Sequence, residues 1–126
     1  MLADPKTTAR YKTQQALNWV ASELHAASGP LFAPGLSDEI KAFLVKRLEA
    51  KYKTLNDLLL ANSDFLVGDS FTVADSYCYI VTTWTPYLGV DLAAYPKVHA
   101  YQERCKALPF VKSAHEKMAT SPTHTA

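Results

Sequence analysis

From Val73 to Leu88 the chain is apolar almost without interruption: Val73, Ala74, Tyr77, Cys78, Tyr79, Ile80, Val81, Trp84, Tyr87 and Leu88. A helix that is apolar all round has no face to offer to water, so it belongs in the middle of a bundle, and the rest of the chain must enclose it. The segment ahead of it, Gly68-Asp69-Ser70-Phe71-Thr72-Val73-Ala74-Asp75, supplies its start. Thr72 is placed to accept from the backbone N–H of Asp75, while the Asp75 carboxylate, three residues on, reaches back to the N–H of Thr72. Those donors open onto a poorly hydrated interior, where leaving one unpaired costs about 1 to 3 kcal/mol. Pro86 cannot donate to the ladder, so the helix is expected to kink near Thr82 or to end within a turn of it. Phe71 stands where a hydrophobic staple begins, but the partner position is Ser76, which leaves Tyr77 to supply any contact.

The enclosing elements also read as helices. Only 4 glycines occur among 126 residues, against plentiful Ala, Leu and Lys, which favours helices over a turn-rich set of strands. Asp4-Pro5 fits an N-cap with proline at the first helical position, and Leu17, Val20, Ala21 and Leu24 then recur at helical spacing to about Ala27. Gly29-Pro30 ends that helix, and the loop beyond carries Leu31 and Phe32, expected to plug the core. Ser37 caps a second helix with Asp38 and Glu39 in its first turn. Its inward stripe is expected at Ile40, Phe43, Leu44, Leu48, Tyr52, Leu55 and Leu59. Lys46, Arg47, Lys51 and Lys53 read as a solvated face, with Glu49 and Lys53 at pairing distance. After the central helix, Tyr95-Pro96 starts a fourth with Val98, Tyr101, Cys105 and Leu108 on one face, and Pro109 opens a short fifth through about Met118. The expected fold is all-α, a five-helix orthogonal bundle over residues 1–119 followed by a flexible tail at 120–126.

Thirteen basic against twelve acidic residues leave a net charge of +1, too weak a field to suggest nucleic acid or an anionic membrane as partner. No run of residues approaches a membrane span, and Met1 to Arg10 has no apolar core of a signal peptide, so a cytoplasmic protein is expected. Cys78 and Cys105 form no CxxC and have no nearby His pair, so no metal site is expected, and both read as inert, reduced thiols. No Gly-rich phosphate loop, HExxH or GxSxG occurs.

The order of these motifs resembles the helical C-terminal domain of glutathione S-transferases, most nearly the bacterial beta class. Phe65-Leu66-Val67-Gly68-Asp69-Ser70-Phe71-Thr72-Val73-Ala74-Asp75 is similar to the loop and capping box before that domain's central helix. Leu17-Asn18-Trp19, Ser22-Glu23-Leu24-His25 and Pro30-Leu31-Phe32 are similar to its first helix and following loop. Trp84 to Pro86, Gly89 to Leu92, Tyr95-Pro96 and Leu108-Pro109 keep its order and spacing. The likeness runs over roughly residues 8 to 118. Complete members carry ahead of this domain a thioredoxin-like βαβαββα domain that holds most of the glutathione site and a catalytic Tyr, Ser or Cys. The resemblance therefore implies a transferase joining glutathione, as co-substrate, to small electrophilic molecules, of which this sequence holds the C-terminal domain and is expected to be inactive alone.

Roles implied by the resemblance fall on individual residues. His25 matches the beta-class histidine beside the glutathione sulfur, and Glu23 a residue that contacts glutathione across the dimer. Where the family usually places Lys next to that histidine, this chain has Ala26, which removes a cation that holds a glutathione carboxylate. Tyr11, Trp84 and Tyr87 are candidates for the electrophile pocket, although core packing is the simpler account of Trp84 and Tyr87 on a helix apolar all round. Thr72 and Asp75 are the structural capping box, with no catalytic residue assigned. A homodimer, or a thioredoxin-like N-terminal domain, is expected to cover the apolar surface near the first and third helices. The alternative reading is a non-catalytic interaction or dimerisation module with the same fold.

Overall fold

The computed structural model describes residues 8–120. The cap expected at Asp4-Pro5 and the tail expected beyond Thr120 lie outside the described residues. Residues 8–28 form α1, in which Thr8–Trp19 is α-helical, Val20–His25 widens into a π-helical turn and Ala26–Ser28 closes it. Val20, Leu24 and Ala27 are fully buried along it, whereas Ala21 faces out. A 3-10 turn, Gly29–Phe32, follows.

Residues 38–59 form α2, with Asp38–Thr54 α-helical and a second π-helical turn at Leu55–Leu59. The Ser37 hydroxyl accepts from the Ile40 N–H at 3.2 Å, the expected cap. Leu48, Tyr52 and Leu55 are fully buried. Ile40 and Phe43, expected in the same inward stripe, are instead 52% and 67% exposed. Every residue from Ser37 to Phe43 is exposed, so the helix meets the core only from Leu44 onward. Lys53 pairs with Asp57 at 2.8 Å rather than with Glu49.

Val73–Thr82 forms α3, the central helix, with Ala74, Asp75, Cys78, Tyr79, Val81 and Thr82 buried. The Thr72 hydroxyl accepts from the Ala74 N–H at 3.2 Å, and Asp75 Oδ2 accepts from the Thr72 N–H at 2.9 Å, completing a capping box. The other oxygen, Oδ1, accepts from the Leu66 N–H at 3.0 Å and from the Tyr101 hydroxyl at 2.7 Å. One buried carboxyl thus ties the entry loop, the start of α3 and a later helix together. The staple through Tyr77 does not form: Phe71 meets Phe65 and Phe110 edge-on, at 5.8 and 5.1 Å between centroids.

The helix breaks after Thr82, as Pro86 demands, and resumes as the one-turn α4, Thr85–Leu88. Pro86 has no N–H for the Thr82 carbonyl four residues back, and the Thr85 hydroxyl donates to that carbonyl instead, at 2.9 Å. Gly89, at φ 81°, ends α4 in the left-handed region. A 3-10 turn at Leu92–Ala94 leads into α5, Pro96–Ala107, which buries Val98, Tyr101 and Cys105. Its start is capped from α2: Asn56 Oδ1 accepts from the Lys97 and Val98 N–H groups at 2.8 and 3.3 Å. Pro109–Thr120 forms α6. The fold is all-α, with the expected five helices joined by the short α4, and no strand among the described residues beyond an isolated bridge between Phe65 and Gly68.

Candidate functional site

His25 ends the π-helical turn of α1, a distortion that re-aims side chains and recurs at functional sites. It projects toward Tyr77 of α3 and toward Trp84, which lies in the break between α3 and α4. The half-buried His25 Nδ1 forms a short hydrogen bond with the Tyr77 hydroxyl. Its ring stands edge-on to Tyr77 and to Trp84, with centroids at 5.6 and 5.3 Å. Phe32, carried over by the 3-10 turn, meets the other side of Trp84 at 5.7 Å. Phe32 is 54% exposed, so it forms the rim of this aromatic cluster rather than the expected core plug, a part left to the half-buried Leu31. Nε2 of His25 has no hydrogen-bond partner among the described residues.

Glu23, two residues before His25, is held by Lys51 of α2 at 2.7 Å. The hydrogen bond from Lys51, then its charge, holds the Glu23 carboxyl below its ordinary range. Trp84 is half-buried and packs against the core. Tyr87, for which core packing was the simpler account, is 81% exposed, because the break before α4 rotates it off the buried face of α3. Tyr11 is 65% exposed on α1. The structure thus brings His25 and Trp84 together, and adds Tyr77 and Phe32. Tyr77 had been read only as a possible staple, since a contact across 52 positions leaves no periodic trace in the sequence.

Both cysteines are buried thiols. Burial pushes Cys105 up to about 12 and raises Cys78 strongly as well, which fits inert groups rather than nucleophiles. No cluster of three metal-ligating side chains occurs among the described residues, and no helix there is long and apolar enough to cross a membrane.

With this geometry in place, comparison with known proteins is informative. Residues 21–109 match the family described as glutathione S-transferase, C-terminal domain. The chain is 32% identical over 114 residues to the glutathione S-transferase GstA of Escherichia coli O157:H7, covering 90% of this chain and 56% of that protein. A sphingomonad glutathione S-transferase solved in complex with glutathione superposes with a TM-score of 0.87 at 34% identity, over 95% of this chain and 59% of the other. The bacterial beta-class enzyme of Sphingomonas chungbukensis gives a TM-score of 0.83 at 33% identity, over 91% and 57%. The chain therefore spans a little over half the length of the relatives it matches.

Proposed function

Because this chain belongs to the glutathione S-transferase family, matching its C-terminal domain, we propose that it serves as the helical half of a glutathione-conjugating site. His25 is the residue set against the reacting sulfur. A phenol is a good donor, and with the Tyr77 O–H donating to Nδ1 the imidazole carries its own proton on Nε2. That N–H is then the group offered to a glutathione thiolate, the form that attacks an electrophilic carbon. Trp84 and Phe32 form an apolar wall beside it on which an aromatic electrophile can rest. Glutathione fits His25 better than it fits Glu23, whose carboxylate is already engaged by Lys51. The observation that carries the proposal is the His25–Tyr77–Trp84 cluster.

The matching experiment uses two proteins. The purified 126-residue chain, given glutathione and 1-chloro-2,4-dinitrobenzene, is expected to show no turnover above the uncatalysed rate. Joined behind the part of the E. coli relative that it does not match, it is expected to turn over, and His25→Asn is expected to lower kcat/KM about tenfold or more, the worth of one unit in thiol ionisation. Robust turnover by the chain alone, or an indifferent His25→Asn variant, overturns the proposal.

A second reading is favoured by one observation. Ile40 and Phe43, one turn apart on α2, are large apolar side chains left at the surface. A module that docks through this face, to a second copy or to a covering domain, shares the fold without needing chemistry. A monodisperse monomer by sedimentation at high concentration removes the self-association form of that reading.

A further inference from the structure

The first two turns of α2 stand clear of the bundle, with every residue from Ser37 to Phe43 exposed. Farther along, Leu48 and Tyr52 carry the buried side of the helix. At about 100° per residue they lie roughly 140° and 180° around from Phe43, so Phe43 marks the outer side. Four residues flank it there. Glu39 and Lys46 lie about 40° and 60° to one side of it, and Ile40 and Arg47 about 60° and 40° to the other. All five side chains are exposed. The acid and Ile40 precede Phe43 in the chain and the two cations follow it, so the strip is acidic and apolar toward its start and basic toward its end.

Within the chain these charges are not spent on each other. Glu39, Lys46 and Arg47 form no ion pair among the described residues, where the pairs are Lys51 with Glu23 and Lys53 with Asp57. Arg47 bears on Glu23 by charge alone, and that carboxylate already has Lys51 at 2.7 Å. A strip with opposite charges before and after an apolar centre is complementary to itself once turned end for end. We propose that α2 pairs antiparallel with α2 of a second copy of this chain, about a two-fold axis passing between the two Phe43 rings. Such an axis keeps each flank on its own side and reverses its direction. Glu39, about 6 Å before Phe43, then stands level within about 1.5 Å with the partner's Lys46, which lies about 4.5 Å beyond its own Phe43. On the other flank Ile40 meets the aliphatic stem of the partner's Arg47, whose guanidinium stays in water. Parallel pairing would set Glu39 on Glu39 and Lys46 on Lys46, so charge selects the antiparallel form. This pairing rests on the docking reading above, for which it names the partner and the contact, and is independent of the His25 proposal.

A contact built on one pair of helices buries less than about 1,200 Å², so the dimer is weak and forms as concentration rises. Sedimentation equilibrium of the 126-residue chain, from roughly 10 μM to 1 mM, is expected to show a reversible monomer–dimer equilibrium. Glu39→Lys and Lys46→Glu each turn two attractive contacts into two repulsive ones, and each is expected to weaken dimerisation roughly tenfold. The double variant Glu39→Lys/Lys46→Glu exchanges the charges and is expected to return to within about threefold of the parent. Lys41→Glu makes the same change in net charge as Lys46→Glu, but about 160° around the helix from Phe43, and is expected to leave dimerisation as it was. All of these positions are exposed, so each variant is expected to keep the parent's far-UV circular dichroism. A monomer at every concentration overturns the pairing and self-association together. A dimer that ignores the charge reversals, or that the double variant fails to restore, overturns the pairing and leaves self-association through another face.

Discussion

Removing the Asp75 carboxyl should damage this fold more than any other single polar change, and the size of the loss follows from its four hydrogen bonds. Asp75 is fully buried, and it accepts from two backbone N–H groups, of Leu66 and Thr72, and from the hydroxyls of Tyr101 and Thr72. Hydroxyls can rotate to other acceptors, but backbone N–H groups cannot. Asp75→Ala therefore strands two buried donors at about 1 to 3 kcal/mol each, roughly 2 to 6 kcal/mol in all. Asp75→Asn keeps one oxygen and turns an amide N–H₂ toward the donors on the other side, which strands one backbone N–H and costs about half as much. Against a total stability of about 5 to 15 kcal/mol, the Ala variant falls near the edge of folding. Urea unfolding followed by far-UV circular dichroism measures both losses, with the Asn midpoint expected between those of the parent and the Ala variant. An Ala variant within about 1 kcal/mol of the parent, or one as stable as the Asn variant, refutes the reasoning.

Three further outcomes follow from other groups. Tyr52 is fully buried and its hydroxyl has no protein partner among the described residues, so Tyr52→Phe is expected to leave stability unchanged or raise it by about 1 kcal/mol in the same urea assay. Cys78 and Cys105, buried and with thiol pKa values raised by burial, should resist a thiol-reactive disulfide reagent in the native chain near pH 8 and react together once urea unfolds it. Glu23 is held below its ordinary 4.5 by Lys51, so what the pair contributes is present above that value and lost as the pH falls below it. The stability gap between the parent and Glu23→Gln should therefore be small near neutrality and close by about pH 3, as thermal unfolding across the range would report.

How far the sequence foretold this molecule depended on the range over which each signal acts. The central helix, its cap at Thr72 and Asp75, its break before Pro86 and the Ser37 cap all rest on local runs of residues, and their order and spacing alone expose them. Periodicity also located the face of α2 but not its covering: Ile40 and Phe43 share the phase of Leu48, yet no neighbour packs over them. After the break at Trp84 the helical phase restarts, and the same rule misplaced Tyr87. The π-helical turns at Val20–His25 and Leu55–Leu59 carry no residue signature. The tertiary bonds that shape the sites, His25 with Tyr77, Tyr79 with His115 and Asn56 with the start of α5, join residues tens of positions apart. Family likeness pointed to His25 and, separately, to Trp84; that the two rings meet, and that Tyr77 bonds His25, came only with the fold.

The proton on the His25 ring is the most direct test of the functional account. Long-range ¹H–¹⁵N correlation of the imidazole in the 126-residue chain distinguishes the two neutral tautomers. The account predicts the Nε2–H form, with Nδ1 accepting from Tyr77, and predicts that Tyr77→Phe mixes the two. A ring carrying its proton on Nδ1 in the parent chain, with Tyr77 as acceptor, would leave no N–H to face a thiolate and would contradict it.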